Sequence, residues 1–210
     1  MDKVDFVKAN RSLYSAPRDG FVLVDVPPMR YLAVDGAGDP NTVPAYREAV
    51  EALYGAAYTL KFMSRAEAGR DYVVPPLEGL WWADDMADFA ARRKDAWSWT
   101  MMIAVPGFVS AELARAAIDT ARDRKRLPAS ALVRYVLLEE GRAVQTLHVG
   151  PYDTEGPLLA RLHDEYLPAA GLVETGHHHE IYLGDPRRSA PERLRTLLRQ
   201  PVKPRPAASA

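Results

Sequence analysis

The stretch GHHHEIYLGDPRR, Gly176 to Arg188, sets three histidines beside Glu180 and Tyr182 near the end of a 210-residue chain. These residue types support two chemistries. A His-x-His pair can hold zinc, and a carboxylate withdrawn from water can serve as acid, base or counter-ion to a cation. The segment reads as a β-strand, on which alternate residues point to opposite faces. His177, His179 and Ile181 then share one side, and His178, Glu180 and Tyr182 the other, so the triplet is not one cluster. Zinc would need a further ligand from His148, His163 or a carboxylate, and none stands at a diagnostic spacing. The histidines are therefore read as part of a partly exposed strand, with no metal and no cofactor expected. Glu180 precedes the apolar run IYL, which suggests a half-buried carboxylate. A solvated edge glutamate, or one paired with Arg187 or Arg188, fits the position equally.

A second group of residues suits recognition. All four tryptophans fall in DYVVPPLEGLWW and WSWTMMIAVP. On the first strand Glu78, Leu80 and Trp82 share a face and Trp81 points the other way; on the second, Trp97, Trp99, Met101 and Ile103 share a face. Tryptophan with methionine lines pockets for flat aromatic ligands, and it also fills cores. Both readings stand for each tryptophan.

The elements that must position these groups come in a repeat. YLAVDGAGDPNTVPAYREAVEALY (Tyr31 to Tyr54) and TLHVGPYDTEGPLLARLHDEYL (Thr146 to Leu167) each run strand, glycine turn, proline-led helix. Apolar residues at helical spacing predict helices at about Val43 to Lys61 and Thr154 to Leu167, each with one face for a sheet to cover. FVLVDV and RYLAVDG read as a hairpin across Pro27 and Pro28, and ALVRYVLLEEGRAVQTLHVG as another turning at Glu140 and Gly141. By this alignment Glu78 takes the place of Glu180. SAELARAAIDTARDRK, with a serine cap, reads as a connecting helix at about 110–125. The expected architecture is α+β: one domain over 1–202 made of two modules at about 21–106 and 128–185, each a helix on an antiparallel sheet and related by a pseudo-twofold axis. PVKPRPAASA has the composition of a disordered end, so 203–210 is expected to be a tail.

Composition excludes little but narrows the partners. The chain is 48% hydrophobic and 26% charged, an ordinary globular balance. A net charge of −1 gives no general field for nucleic acid, and no 18-residue apolar run offers a membrane span. The N-terminus MDKVDFVKAN lacks a signal-peptide pattern, and there are no cysteines. The expectation is a cytoplasmic protein, monomer or homodimer, whose partner is a small aromatic ligand.

The segments DYVVPPLEGLWW, WSWTMMIAVP, LHVGPYDTEGP and HHEIYLGDPRRSAPERLRTLLRQPV together resemble the GyrI-like small-molecule-binding family, in its stand-alone branch. The resemblance spans roughly Phe21 to Val202. It implies duplicated strand-helix-strand-strand modules with a ligand cleft between the halves. It also implies a glutamate on the last strand that meets cationic aromatic ligands, a position matched by Glu180. Relatives that act as transcription regulators carry a helix-turn-helix domain, for which no room is expected here, so direct transcription control is not expected. The PLEGLWW-like segment resembles cyclopropanoid cyclohexadienone hydrolases, which open the cyclopropane of DNA-alkylating compounds inside an aromatic cage. On that resemblance Glu180 is the base, Tyr182 or Tyr152 the donor to the dienone oxygen, and Trp82, Trp97 and Trp99 the cage walls, with Glu78, Trp81 and Met101 nearby. A non-catalytic binder of aromatic or cationic drugs or metabolites is the alternative.

Overall fold

The computed structural model describes residues 3–18, 20–85, 93–186 and 188–206. The chain divides into two compact units, Met1–Asn10 with Pro28–Leu138, and Arg11–Pro27 with Glu139–Ala210.

In chain order the elements are β1 (Lys3–Asp5), α1 (Phe6–Ala9), β2 (Val22–Val26), β3 (Met29–Ala37), α2 (Pro44–Glu67), β4 (Asp71–Val73), β5 (Leu77–Ala83) and β6 (Trp97–Val105). There follow α3 (Ala111–Lys125), β7 (Arg134–Leu138), β8 (Gly141–Val149), α4 (Gly156–Ala160), a π-turn (Arg161–Tyr166), α5 (Leu167–Ala169), β9 (Leu172–Glu174), β10 (His178–Tyr182) and β11 (Arg195–Pro204).

The first unit is an antiparallel sheet in the order β7-β3-β6-β5, with β1 and β4 as a separate parallel pair. Pro44 opens α2, its fixed φ already helical and its missing N–H not needed in the first turn. Ala49, Ala52, Leu53, Ala56, Ala57 and Leu60 then form one buried stripe at three- and four-residue spacing. The helix runs six residues past its expected end at Lys61. It stops where Gly69 takes φ +62 and the Arg70 N–H returns to the Ser64 carbonyl. The Ser110 side chain caps α3 by accepting from the Leu113 N–H, and Ala114, Ala117 and Ala121 bury its inner face.

Tyr46, in the first turn of α2, shows which face of this sheet the helix covers. Its ring lies 5.3 Å from Trp99 and 6.1 Å from Trp81. Trp81 is paired opposite Trp99, so Trp81, Trp97, Trp99, Met101 and Ile103 form the helix-bearing face, and Glu78 and Trp82 the other. Trp99 faces Gly36 on β3, and a Cβ on Gly36 would stand only 2.1 Å from the indole.

The second unit repeats the order, β2-β8-β11-β10, with β9 on the last residues of β11. Val144, Leu162, Leu167, Leu172 and Val202 form its core, joined by Phe21 and Tyr166. The expected helix is present as one helical run from Gly156 to Ala169, but its middle, Arg161–Tyr166, is π-helical. Pro168 has no N–H to return to the Asp164 carbonyl, and the chain widens into a π-turn just before it. β11 also runs to Pro204, where Lys203 and Pro204 pair with Val173 and Leu172, so the expected tail begins as strand. Residues 207–210 lie outside the described residues.

Neither expected hairpin forms. β2 pairs with β8, and β7 with β3. The physical reasons are local. Pro27 and Pro28 cannot take the positive φ of a tight hairpin turn, and Glu140 is drawn into buried ion pairs rather than left at an exposed corner. Each leading strand therefore joins the sheet of the opposite repeat, and both units keep the same four-strand plan. Among the described residues, no helix is long and apolar enough to cross a membrane.

Gly36→Ala is expected to cost about 1–3 kcal/mol, because the added methyl must displace a fully buried indole. Urea unfolding monitored by tryptophan fluorescence checks this, and a midpoint equal to the parent's refutes it.

Candidate functional site

In the second unit, β10 pairs with β11 so that Glu180 lies opposite Leu198, which in turn lies opposite Thr146 on β8. Thr146 shares its face with Val144, a member of the core under the helical segment. Glu180 therefore belongs to the helix-bearing face of its sheet, with His178 and Tyr182 beside it.

Their geometry is close. The Tyr182 hydroxyl donates to Glu180 Oε2 at 2.8 Å, and His178 Nε2 lies 3.5 Å from Oε1. The Glu180 side chain keeps only 13% of its exposure. It is thus half-buried, and of its proposed partners Arg188 lies by Asp185 at 3.7 Å while Arg187 is outside the described residues. Tyr152, on a 3-10 turn (Tyr152–Thr154), sets its ring edge-on to Tyr182 at 5.6 Å. Burial, with the nearby charges of Glu155, Glu180 and Asp185, pushes the Tyr152 hydroxyl up to about 12. At neutral pH it keeps its proton and is a hydrogen-bond donor. The single proton of Tyr182 is directed at Glu180, so Tyr152 is the better placed of the two tyrosines to serve a ligand oxygen.

The opposite face of β10 carries a different arrangement. His179 Nδ1 lies 2.9 Å from Glu140 Oε1, and Arg199 Nη1 donates to Glu140 Oε2 at 2.7 Å. Arg199 also donates through Nε to Gln145 Oε1 and through Nη2 to the Leu13 carbonyl, each at 2.7 Å. The side chains of His179, Glu140 and Arg199 are all buried. The expectation of histidines on a partly exposed strand is therefore corrected: His178 and His179 are buried and only His177 is exposed. The reason is that partners stand on both faces of β10. Among the described residues no group of three or more His, Asp or Glu side chains is placed to hold a metal ion.

In the first unit the tryptophans assemble, but not as the expected cage. Trp82 faces away from Trp97 and Trp99, because β5 and β6 pair with Trp81 opposite Trp99 and Trp82 opposite Ser98. The cluster is instead Tyr46, Trp81, Trp97 and Trp99, with Trp81 edge-on to Trp97 at 5.8 Å. Trp99 and Met101 are fully buried and Trp81 nearly so, which makes them core. Trp97 and Tyr46 keep partial exposure, and Lys94 Nζ stands 5.9 Å from the Trp97 ring, a cation on an electron-rich face. Glu78 is fully buried on the face turned from α2, whereas Glu180 is on the helix-bearing face of its sheet. The two acids are not equivalent.

The sequence pattern did not single out Tyr46, Glu140 or Arg199 as site residues, although strand parity did set His178 beside Glu180. Tyr46 was visible as the first aromatic of an amphipathic helix; Glu140 was concealed by its resemblance to a turn residue.

The fold and the sequence now identify the family. The profile of the GyrI-like small molecule binding domain matches residues 21–203. The chain belongs to this family. An uncharacterized conserved protein from Listeria innocua is 40% identical over 96% of this GyrI-like chain and 100% of its own, with a TM-score of 0.84. A second Listeria innocua structure, described as a hydrolase, is also 40% identical over the same shares, with a TM-score of 0.81. The EcmrR C-terminal domain, 14% identical over 88% of this chain and 98% of its own, shares the fold at a TM-score of 0.56. Among curated proteins none matches.

Burial works to raise the Glu140 pKa, but His179 and Arg199 outweigh it and hold the carboxyl down at about 2, against 4.5 for a free glutamate. A depressed folded pKa adds stability that is present above pH 4.5 and is lost as pH falls toward 2. Glu140→Gln should therefore lose about 3 kcal/mol at pH 7, leaving Arg199 buried without its anion. Its Tm should also fall less steeply than the parent's between pH 4.5 and 2. Parallel Tm profiles for the two proteins would refute the assignment.

Proposed function

We propose that this GyrI-like protein hydrolyses a flat, polyaromatic small molecule, the substrate class being the cyclopropanoid cyclohexadienones. The observation that carries this reading is the Tyr182–Glu180 hydrogen bond. It fixes a half-buried carboxylate by a neutral donor and leaves its charge without an arginine or lysine partner among the described residues. Two further facts support it: the hydrolase description of a 40% identical relative, and the PLEGLWW and EIYLGDPRR segments.

In the proposed reaction Glu180 takes a proton from water as the water oxygen attacks the cyclopropane methylene. The strained C–C bond breaks, and its electron pair moves through the dienone to the carbonyl oxygen, giving a phenolate. Tyr152, which keeps its proton, donates a hydrogen bond to that oxygen as charge develops. The phenolate then takes up the proton held by Glu180, so the product is the substrate plus one water. Beside the acid, the rings of Tyr152 and Tyr182, edge-on at 5.6 Å, offer aromatic surface to a flat ring system; Trp97 and Tyr46 of the first unit are proposed on their own as an aromatic ligand surface. The acid and the aromatic cluster are assigned separately, one to each unit, and substitutions read them separately.

The second reading, a non-catalytic binder of aromatic cations, draws on Lys94 over Trp97, which shows a ring face suited to positive charge. The test is incubation with a cyclopropanoid cyclohexadienone and mass analysis for the gain of one water. Glu180→Gln is expected to lower turnover about a hundredfold or more while affinity changes little, and Trp97→Ala to weaken the binding of aromatic cations that the second reading assigns to that ring. No turnover by the parent protein, with Glu180→Gln weakening only cationic ligands, would replace the hydrolase by the binder. Unchanged turnover in Glu180→Gln would remove Glu180 from the reaction.

A further inference from the structure

The outer face of α2 is out of place on a solvent-facing helix. Tyr54, Tyr58 and Phe62 recur every four residues, forming one stripe, and Tyr58 and Phe62 remain 47% and 58% exposed. The Tyr54 and Tyr58 rings lie 6.3 Å apart. Large apolar side chains in a contiguous row mark an interaction surface. Glu51 and Arg65 extend the same stripe at its two ends, seven residues on either side of Tyr58, and both are exposed. Among the described residues, neither is in an ion pair.

We infer that this stripe is the interface of a homodimer, formed by α2 against α2 of a second copy, antiparallel about a two-fold axis through Tyr58. The spacing itself selects the occupant. In an antiparallel pair centred on Tyr58, Tyr54 falls level with the partner's Phe62, Tyr58 meets its own copy, and Glu51 falls level with the partner's Arg65. The two-fold repeats the aromatic contact and the ion pair on the other side. A random surface stripe has no reason to be charge-complementary to its own reverse. The helix has the length for it: 24 residues extend about 36 Å, of which Glu51 to Arg65 use about 21 Å. One helix face against another is a small interface, so dimerisation is expected to be reversible and dependent on protein concentration.

Sedimentation velocity over a range of concentrations tests this with the full chain. The parent is expected to pass from monomer to dimer as concentration rises. Glu51→Arg sets arginine against arginine across the axis, and Arg65→Glu sets glutamate against glutamate, so each should weaken the dimer about tenfold or more. Mixed together, the two variants should recover it, because each heterodimer restores both opposite-charge pairs. Tyr58→Glu, which places two carboxylates on the axis, should leave a monomer. All three positions are exposed, and unchanged circular dichroism confirms that the variants fold. A parent that stays monomeric at several hundred micromolar, a dimer indifferent to these substitutions, or a mixture that fails to recover would each overturn the inference.

Discussion

Among the described residues, α2 covers one face of the first sheet and the helical run Gly156–Ala169 one face of the second, and the two-residue period of a strand then gives every side chain one of two surroundings. On β5, Trp81 lies beneath α2 in an aromatic cluster, and the adjacent Trp82 faces away. On β10, Glu180 faces the helical side and the adjacent His179 enters a buried ionic knot. A one-residue slip would exchange all four surroundings. Register is thus the constraint on which both the aromatic cluster and the acid depend, and close packing at Gly36 and Gly79 holds it in the first unit. A Cβ at Gly36 would meet the Trp99 indole, and one at Gly79 would meet Trp81 at 2.8 Å and Met101 at 3.1 Å.

In the second unit register is held by charge. Arg199 joins three strands through one guanidinium: it sits opposite His179 on β10 and Gln145 on β8, and it bonds Gln145, the Leu13 carbonyl and Glu140. Burying these ions is costly, and a well-packed apolar set of the same volume could be as stable. What the ions add is directionality. A fork of donors with fixed geometry accepts one arrangement of its acceptors, so β8, β10 and β11 cannot slide without stranding a buried charge.

The same physics explains which features could be read in the chain. Strand parity at His177–Tyr182 and the proline-led helices follow from local rules, and the structure has both. The strand partners do not follow from local rules. Consecutive strands usually pair, and the hairpin reading of Phe21–Gly36 used that tendency, but the diproline corner and the inward pull on Glu140 send β2 and β7 elsewhere. The cage suffered from the same limit. Trp97 and Trp99 share a face by parity, yet whether Trp81 or Trp82 shares it with them depends on cross-strand register, which a single strand does not specify.

Glu140 and Glu180 show how partners set the task of a carboxylate. Glu140 is bound on one oxygen by an arginine and on the other by a histidine, and its pKa of about 2 means that it holds its charge at neutral pH. Such a group is a poor proton acceptor, because accepting a proton would break two charge-assisted bonds. Glu180 is held by the neutral hydroxyl of Tyr182, with His178 at a longer distance. Its orientation is fixed without a permanent cation beside it among the described residues. Fixed direction and uncompensated charge are the two properties that a general base, or a counter-ion for a bound cation, must combine.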